Sequence, residues 1–174
     1  MQSLKEKAKS IRLFILDVDG ILTTGAIYHG SNGFEMRGFH IHDGLGIKLL
    51  QKAGITVAVI SGKKSEPVEK RMRELNIQHA YLGHENKLPA YEELKQQLQL
   101  KDHEIAYMGD DLPDLPLLKR AGLSITVPGT PEVISQAVDF ITKKKPGKGA
   151  VREVCDWLLE AQDRYQSVIQ SYLV

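Results

Sequence analysis

The chain has 174 residues, 42% of them hydrophobic and 26% charged, and a formal net charge of +1. That length supports one domain with a sizeable core, and the near-neutral charge excludes a global field for nucleic acid, so any anion must be recognised locally. A single cysteine, Cys155, excludes an internal disulfide and fits a reducing compartment.

The first residues, MQSLKEKAKSIR, are charged, and no apolar stretch of signal-peptide length follows them. The longest apolar runs are strand-sized, so the expectation is a cytoplasmic protein with no membrane span. IRLFIL (11–16) reads as the first strand and runs straight into DVDG (17–20). AIYHGSNGFEMRGF (26–39) holds two strand-like pieces around a Gly/Asn/Ser turn, the pattern of a β-hairpin. A helix is expected over 44–53, then the strand TVAVI (56–60). The next helix, 65–75, has Ser65 as its N-cap and Glu66 and Glu69 in its first turn. HAYL (79–82), EIAYM (104–108), LSITV (123–127) and DFI (139–141) read as further strands, separated by helices over 88–98, 114–121 and 131–137. Several of these strands are apolar almost throughout, as strands covered on both faces tend to be. KKKPGKGA (143–150) cannot be regular structure, and a long final helix follows it. Val151, Val154, Cys155, Leu158 and Leu159 give that helix an apolar face, which makes Cys155 a packing residue.

Such alternation predicts an α/β fold with a doubly wound, mostly parallel sheet and right-handed crossovers. The expected organisation is a single domain over 1–174, with the hairpin 26–39 inserted at the sheet's carboxyl edge and a tail and helix over 143–174.

Ligands in open α/β sheets bind beyond the carboxyl ends of the strands. Those ends carry Asp17 and Asp19, Ser61 and Gly62, and Asp110 and Asp111, with Lys87 opening the helix after HAYL. Asp17 and Asp19 fall on the same side of an extended chain and would repel each other unless a cation held them. Carboxylates converging without His or Cys make a hard oxygen site, for which Mg²⁺ is the expected ion. Ser61, Gly62 and Lys87 offer an O–H, a backbone N–H and a positive charge to phosphoryl oxygens. The chemistry implied is phosphoryl transfer to an aspartate.

DVDG, ISG, the downstream Lys87 and GDDLPD together resemble the four motifs of the haloacid dehalogenase superfamily. With the hairpin, HDGLGIKLLQKAGI and KGAVREVCDWLL, the chain resembles the 3-deoxy-D-manno-octulosonate 8-phosphate phosphatases across nearly its whole length. That resemblance implies a Rossmann-like core with no large cap domain, a magnesium-dependent homotetramer, and a phosphorylated sugar-acid substrate from lipopolysaccharide precursor synthesis. It implies Asp17 as nucleophile and Asp19 as the general acid and base. The metal would be held by Asp17, the backbone carbonyl of Asp19 and Asp110, supported by Asp111 and Asp114. Ser61, Gly62 and Lys87 would hold the phosphoryl oxygens.

Two positions depart from the family pattern. Lys63 and His42 stand where arginine is usual, and both are candidate substrate contacts. A phosphatase for a nine-carbon 2-keto sugar acid 9-phosphate is the nearest enzymatic alternative. A phospho-accepting signalling domain and a non-catalytic scaffold are the others. On the hairpin, Ile27, Phe34 and Met36 are expected to face other subunits. Lys143–Gly149 are expected to form a flexible cationic tail across the mouth of a site.

Overall fold

The computed structural model describes residues 3–173; Met1, Gln2 and Val174 lie outside them. Six parallel strands form one sheet in the order β5-β4-β1-β6-β7-β8: His79–Leu82, Thr56–Ser61, Leu13–Leu16, Ile105–Met108, Leu123–Thr126 and Phe140–Ile141. All six strands expected from the sequence are present. β1 lies inside the sheet, with Leu13 opposite both Thr56 and Ile105.

The period of two along each strand divides the core into two layers. Phe14, Leu16, Val57, Val59 and Met108 face one layer with the helices α2 (Ile41–Lys52), α3 (Glu66–Glu74) and α7 (Ala150–Ala161). Leu13, Ile15, Ala58, Ile60 and Tyr107 face the other, against α4 (Leu88–Gln97), α5 (Leu115–Leu118) and α6 (Glu132–Ser135). Because both faces are covered, the strands needed no polar side and read as continuous apolar runs. The hairpin consists of β2 (Tyr28–His29) and β3 (Glu35–Met36), which pair antiparallel. Among the described residues no helix is long and apolar enough to cross a membrane.

Three local expectations are corrected, and one helix is added to those the sequence suggested. Residues Leu4–Lys9 form a helix, α1, started by a capping box in which Ser3 and Glu6 each accept the other's backbone N–H. The final helix is two helices, because Asp163 at φ 57° breaks it before α8 (Tyr165–Gln170). Ser65 occupies the N-cap position of α3 but makes no capping bond; its Oγ accepts from Arg37 instead. The segment 143–149 is not a free tail. Its Lys143 and Lys144 N–H groups donate to the Glu153 carboxylate, and its Gly147 N–H donates to the Ile21 carbonyl. Gly147, at φ 61°, lies so close to the Thr23–Thr24 backbone that a Cβ would sit 2.7 Å from it.

Helix α7 is capped from a distance. Its N-cap residue, Gly149, has no side chain, so Asp43 of α2 supplies the acceptor, taking the Gly149 N–H at 3.3 Å and the Arg152 N–H at 2.8 Å. Burial pushes the Asp43 carboxyl up, while the two N–H donors pull it back toward ionisation. Replacing Asp43 with Ala leaves both donors without that acceptor. Asp43→Ala is expected to cost about 1–3 kcal/mol, read as a lower urea midpoint at unchanged slope.

Candidate active site

The strand order puts the carboxyl ends of β4, β1 and β6 side by side, and the functional side chains gather there. Asp17 follows β1 directly and donates its N–H to the Met108 carbonyl at 2.9 Å. Beyond it the chain turns sharply, the N–H groups of Ile21, Leu22 and Thr23 all donating to the Val18 carbonyl. Gly20 is required within that turn: φ is 89°, and a Cβ would lie 2.1 Å from an Asp110 carboxylate oxygen. The DVDG glycine therefore lets the Asp110 carboxylate close on the first loop.

Lys87, at the start of α4, is 4% exposed. Its ammonium donates to Asp17 at 2.7 Å and to Asp114 at 2.6 Å. Burial opposes the charge, but the two carboxylates outweigh it and hold the Lys87 pKa above the ordinary lysine value. Asp114 is in turn fully engaged. One of its oxygens accepts from Lys87 and the Tyr107 hydroxyl, the other from the backbone N–H groups of Asp110 and Asp111 at 3.0 and 3.1 Å. The sequence left Asp114 between helix capping and metal support; here it orients both the lysine and the acidic loop. Tyr107, fully buried, has its hydroxyl pushed well above its ordinary pKa by burial and by Asp114, so it stays a neutral donor.

Oxygens of Asp17, Asp110 and Asp114 lie within 4.8 Å of one another. Burial and the charge of Asp114 push the Asp17 carboxyl up to about 7 against the pull of Lys87. Burial, Asp114 and Asp111 push Asp110 up to about 7 as well. The cluster thus holds more negative charge than Lys87 neutralises, and a divalent cation with oxygen ligands would answer the excess.

These groups open onto a cavity of about 470 Å³ lined by Asp17, Asp19, Ser61, Gly62, Lys63, Lys87, Asp110 and Asp111. Every residue expected at the site from the sequence lies on this cavity except His42. That histidine is on the exposed first turn of α2, its ring edge-on to His40 at 5.1 Å, and does not line the cavity. Asp111 turns one carboxylate oxygen to the Leu112 N–H at 2.8 Å. The Asp19 carboxylate is turned to Arg37, whose Nε donates to it at 2.8 Å. Ile27, half-buried, is also among the residues that line the cavity. Arg37, Tyr107 and Glu85 were not singled out in the sequence. Arg37 and Glu85 lie between motifs and Tyr107 within an apolar strand, and no spacing marks an isolated Arg, Tyr or Glu as part of a site.

Buried acid, lysine and a polar cavity at the ends of parallel strands suit nucleophilic attack on a phosphoryl group. Comparison with known proteins leads to the same chemistry. Residues 83–154 match the haloacid dehalogenase-like hydrolases. The chain is 45% identical over 158 residues to the 3-deoxy-D-manno-octulosonate 8-phosphate phosphatase KdsC of Escherichia coli K12, spanning 91% of this chain and 84% of that one. The fold superposes on the crystal structure of the 3-deoxy-D-manno-octulosonate 8-phosphate phosphatase of Moraxella catarrhalis in complex with a magnesium ion, a phosphate ion and KDO. The TM-score is 0.95 at 43% identity, over 97% of both chains. It also superposes on the cobalt-bound phosphatase of Haemophilus influenzae, with a TM-score of 0.91 at 38% identity over 97% of this chain and 99% of that one. With such identity along nearly its whole length, the chain belongs to the haloacid dehalogenase-like hydrolases, in the family of the 3-deoxy-D-manno-octulosonate 8-phosphate phosphatases.

Proposed function

We propose that this protein is a Mg²⁺-dependent phosphomonoesterase that hydrolyses 3-deoxy-D-manno-octulosonate 8-phosphate to the free sugar acid and phosphate. The observation that carries the reading is the buried Asp17–Lys87 pair at 2.7 Å, opening onto a cavity with a second carboxylate two residues along the chain. The same reading places the reaction in the cytoplasm, in the supply of a lipopolysaccharide precursor.

In the first half of the reaction a carboxylate oxygen of Asp17 attacks phosphorus and the phosphorus–oxygen ester bond breaks. Asp19 gives the departing sugar alkoxide its proton. In the second half Asp19, now a carboxylate, takes a proton from water as that water attacks the phosphoryl group, which releases phosphate and restores Asp17. Ser61, the Gly62 N–H, Lys63 and Lys87 hold the phosphoryl oxygens. Lys87 also offsets the repulsion between nucleophile and substrate, both anionic. Mg²⁺ would be held by Asp17, the Asp19 carbonyl and Asp110, with Asp111 beside them, and it would supply charge neutralisation for the transferring phosphoryl group.

An amide cannot attack phosphorus, so Asp17→Asn is expected to stay folded and to lose turnover entirely. A phosphate-release screen over eight- and nine-carbon sugar-acid phosphates tests both role and substrate. More than a few per cent of wild-type activity in the folded variant contradicts the role. Preference for a nine-carbon 9-phosphate moves the substrate assignment to the neighbouring activity.

The raised carboxyls make metal-free stability depend on pH. Asp17 and Asp110 keep protons up to about pH 7 when folded, whereas an unfolded aspartate has lost its proton by about pH 5. The native state therefore binds more protons in that interval, and stability present below it is lost as pH rises toward 7. In EDTA these groups should lower the thermal midpoint between pH 6 and pH 8. Mg²⁺ should raise that midpoint more at pH 8 than at pH 6 and restore turnover, which Ca²⁺ should not. Full activity in metal-stripped protein contradicts the assignment of Asp110.

We further propose a homotetramer built on the hairpins. Tyr28, Phe34 and Met36 are 60, 57 and 51% exposed, and Ile41 nearby in the chain is 75% exposed. Apolar side chains collected on a ribbon this small suit burial against copies of the chain. Sedimentation should give four subunits for the wild type and smaller species for Phe34→Glu; a wild-type monomer contradicts the reading.

A further inference from the structure

The hairpin segment is exposed or half-exposed nearly throughout, yet of the described residues 26–39 one is buried, and it is charged: Arg37. Its side chain is 1% exposed. A guanidinium so far from water must find acceptors, and it finds them on three segments. Nε donates to Asp19 Oδ1 at 2.8 Å and Nη2 to Asp19 Oδ2 at 3.3 Å, a two-point grip on one carboxylate. Nη1 donates to Glu35 of the hairpin and to Ser65 ahead of α3. This uses Ser65 in a way its sequence position did not suggest, and it explains a cap residue that caps nothing.

We propose that Arg37 is a positioning residue for Asp19, setting the plane of the carboxylate that moves protons; the inference rests on the catalytic role of Asp19 given above. The guanidinium is rigid and planar, so gripping both carboxylate oxygens fixes rotation about the side-chain bond, which a single contact would leave free. Glu35 and Ser65 keep the fork itself from turning. Asp17 has a separate holder in Lys87, so nucleophile and proton carrier are oriented by different cations on different elements. The hairpin thereby enters the reaction through one side chain rather than as a cover alone.

The chemistry provides a readout that a merely structural role would not move. An alkoxide leaves poorly without a proton, whereas nitrophenolate leaves well without one. Weakening Arg37 should therefore hurt esters in proportion to the basicity of their leaving groups. The test is kcat/KM in saturating Mg²⁺ on 4-nitrophenyl, phenyl and a simple alkyl phosphate, for wild type, Arg37→Gln, Arg37→Lys, Asp19→Asn and Arg37→Gln/Asp19→Asn. Since general acid–base help is typically ~10²–10⁴-fold, Arg37→Gln should lose about 10- to 100-fold on the alkyl ester and under about 3-fold on the nitrophenyl ester. Arg37→Lys keeps the charge without the fork and should fall between, and it carries the same comparison if Arg37→Gln fails to fold. On the Asp19→Asn background the Arg37 change should cost nothing further. Equal losses on all three esters, a gain on the alkyl ester, or additive losses in the double variant overturn the positioning role while leaving the phosphatase reading intact. A wild type inert on every ester overturns both.

Discussion

A lysine ammonium buried between two carboxylates is the contact on which this structure depends. Lys87 can stay charged out of water because Asp17 and Asp114 both accept from it. Burial opposes its charge, and the two carboxylates together outweigh that opposition for the lysine. The arrangement requires the start of α4 and the ends of β1 and β6 to meet. Parallel pairing of β1 with β6 allows that, and Asp114 then secures the meeting by binding the backbone of the acidic loop and the Tyr107 hydroxyl.

The same contact leaves the site short of positive charge. One lysine is set against Asp17, Asp110 and Asp114, and two of those carboxyls respond by holding their protons to about pH 7. Such strain in the charge balance is common where a fold is arranged for catalysis rather than for stability alone. Gly20 and Gly109 flank the cluster for a steric reason. A side chain at either would collide with a carboxylate, Asp110 at Gly20 and Asp114 at Gly109.

Beside the site, the C-terminal segment braces the loop that carries Asp17 and Asp19, and its Pro146 lines a hollow shared with Asp19 and Asp110. Gly147 packs against Thr23 and Thr24 just past the DVDG turn, and its N–H reaches Ile21. Asp43 holds the start of α7 at the other end of the segment. Helix α7 buries Val151, Val154, Cys155, Leu158 and Leu159 completely, so the brace is anchored in the core. Burial likewise pushes the Cys155 thiol well above its ordinary pKa, which leaves it a packing residue. What read from its lysines as a flexible tail is tied down by backbone hydrogen bonds at Lys143, Lys144 and Gly147.

Residues 11–16, 56–60 and 104–108 announced their strands because a strand covered on both faces must be apolar on both, a local rule that sequence obeys residue by residue. Asp17, Ser61, Lys87 and Asp110 were legible for a related reason. Polar groups at strand ends stand next to recognisable strands, and their order in the chain repeats the order of motifs in a known superfamily. Tertiary structure alone decided the rest. Arg37 could not be read as the holder of Asp19, nor Asp43 as the cap of α7, because each acts on a partner far along the chain and no local period records it. His42 shared a first turn with such a residue and still fell outside the cavity, since the direction of a side chain on a helix depends on what that helix packs against. Local pattern chose the elements and the polar groups that line the cavity; only the folded chain, by placing distant polar atoms within hydrogen-bonding reach, decided which side chain meets which.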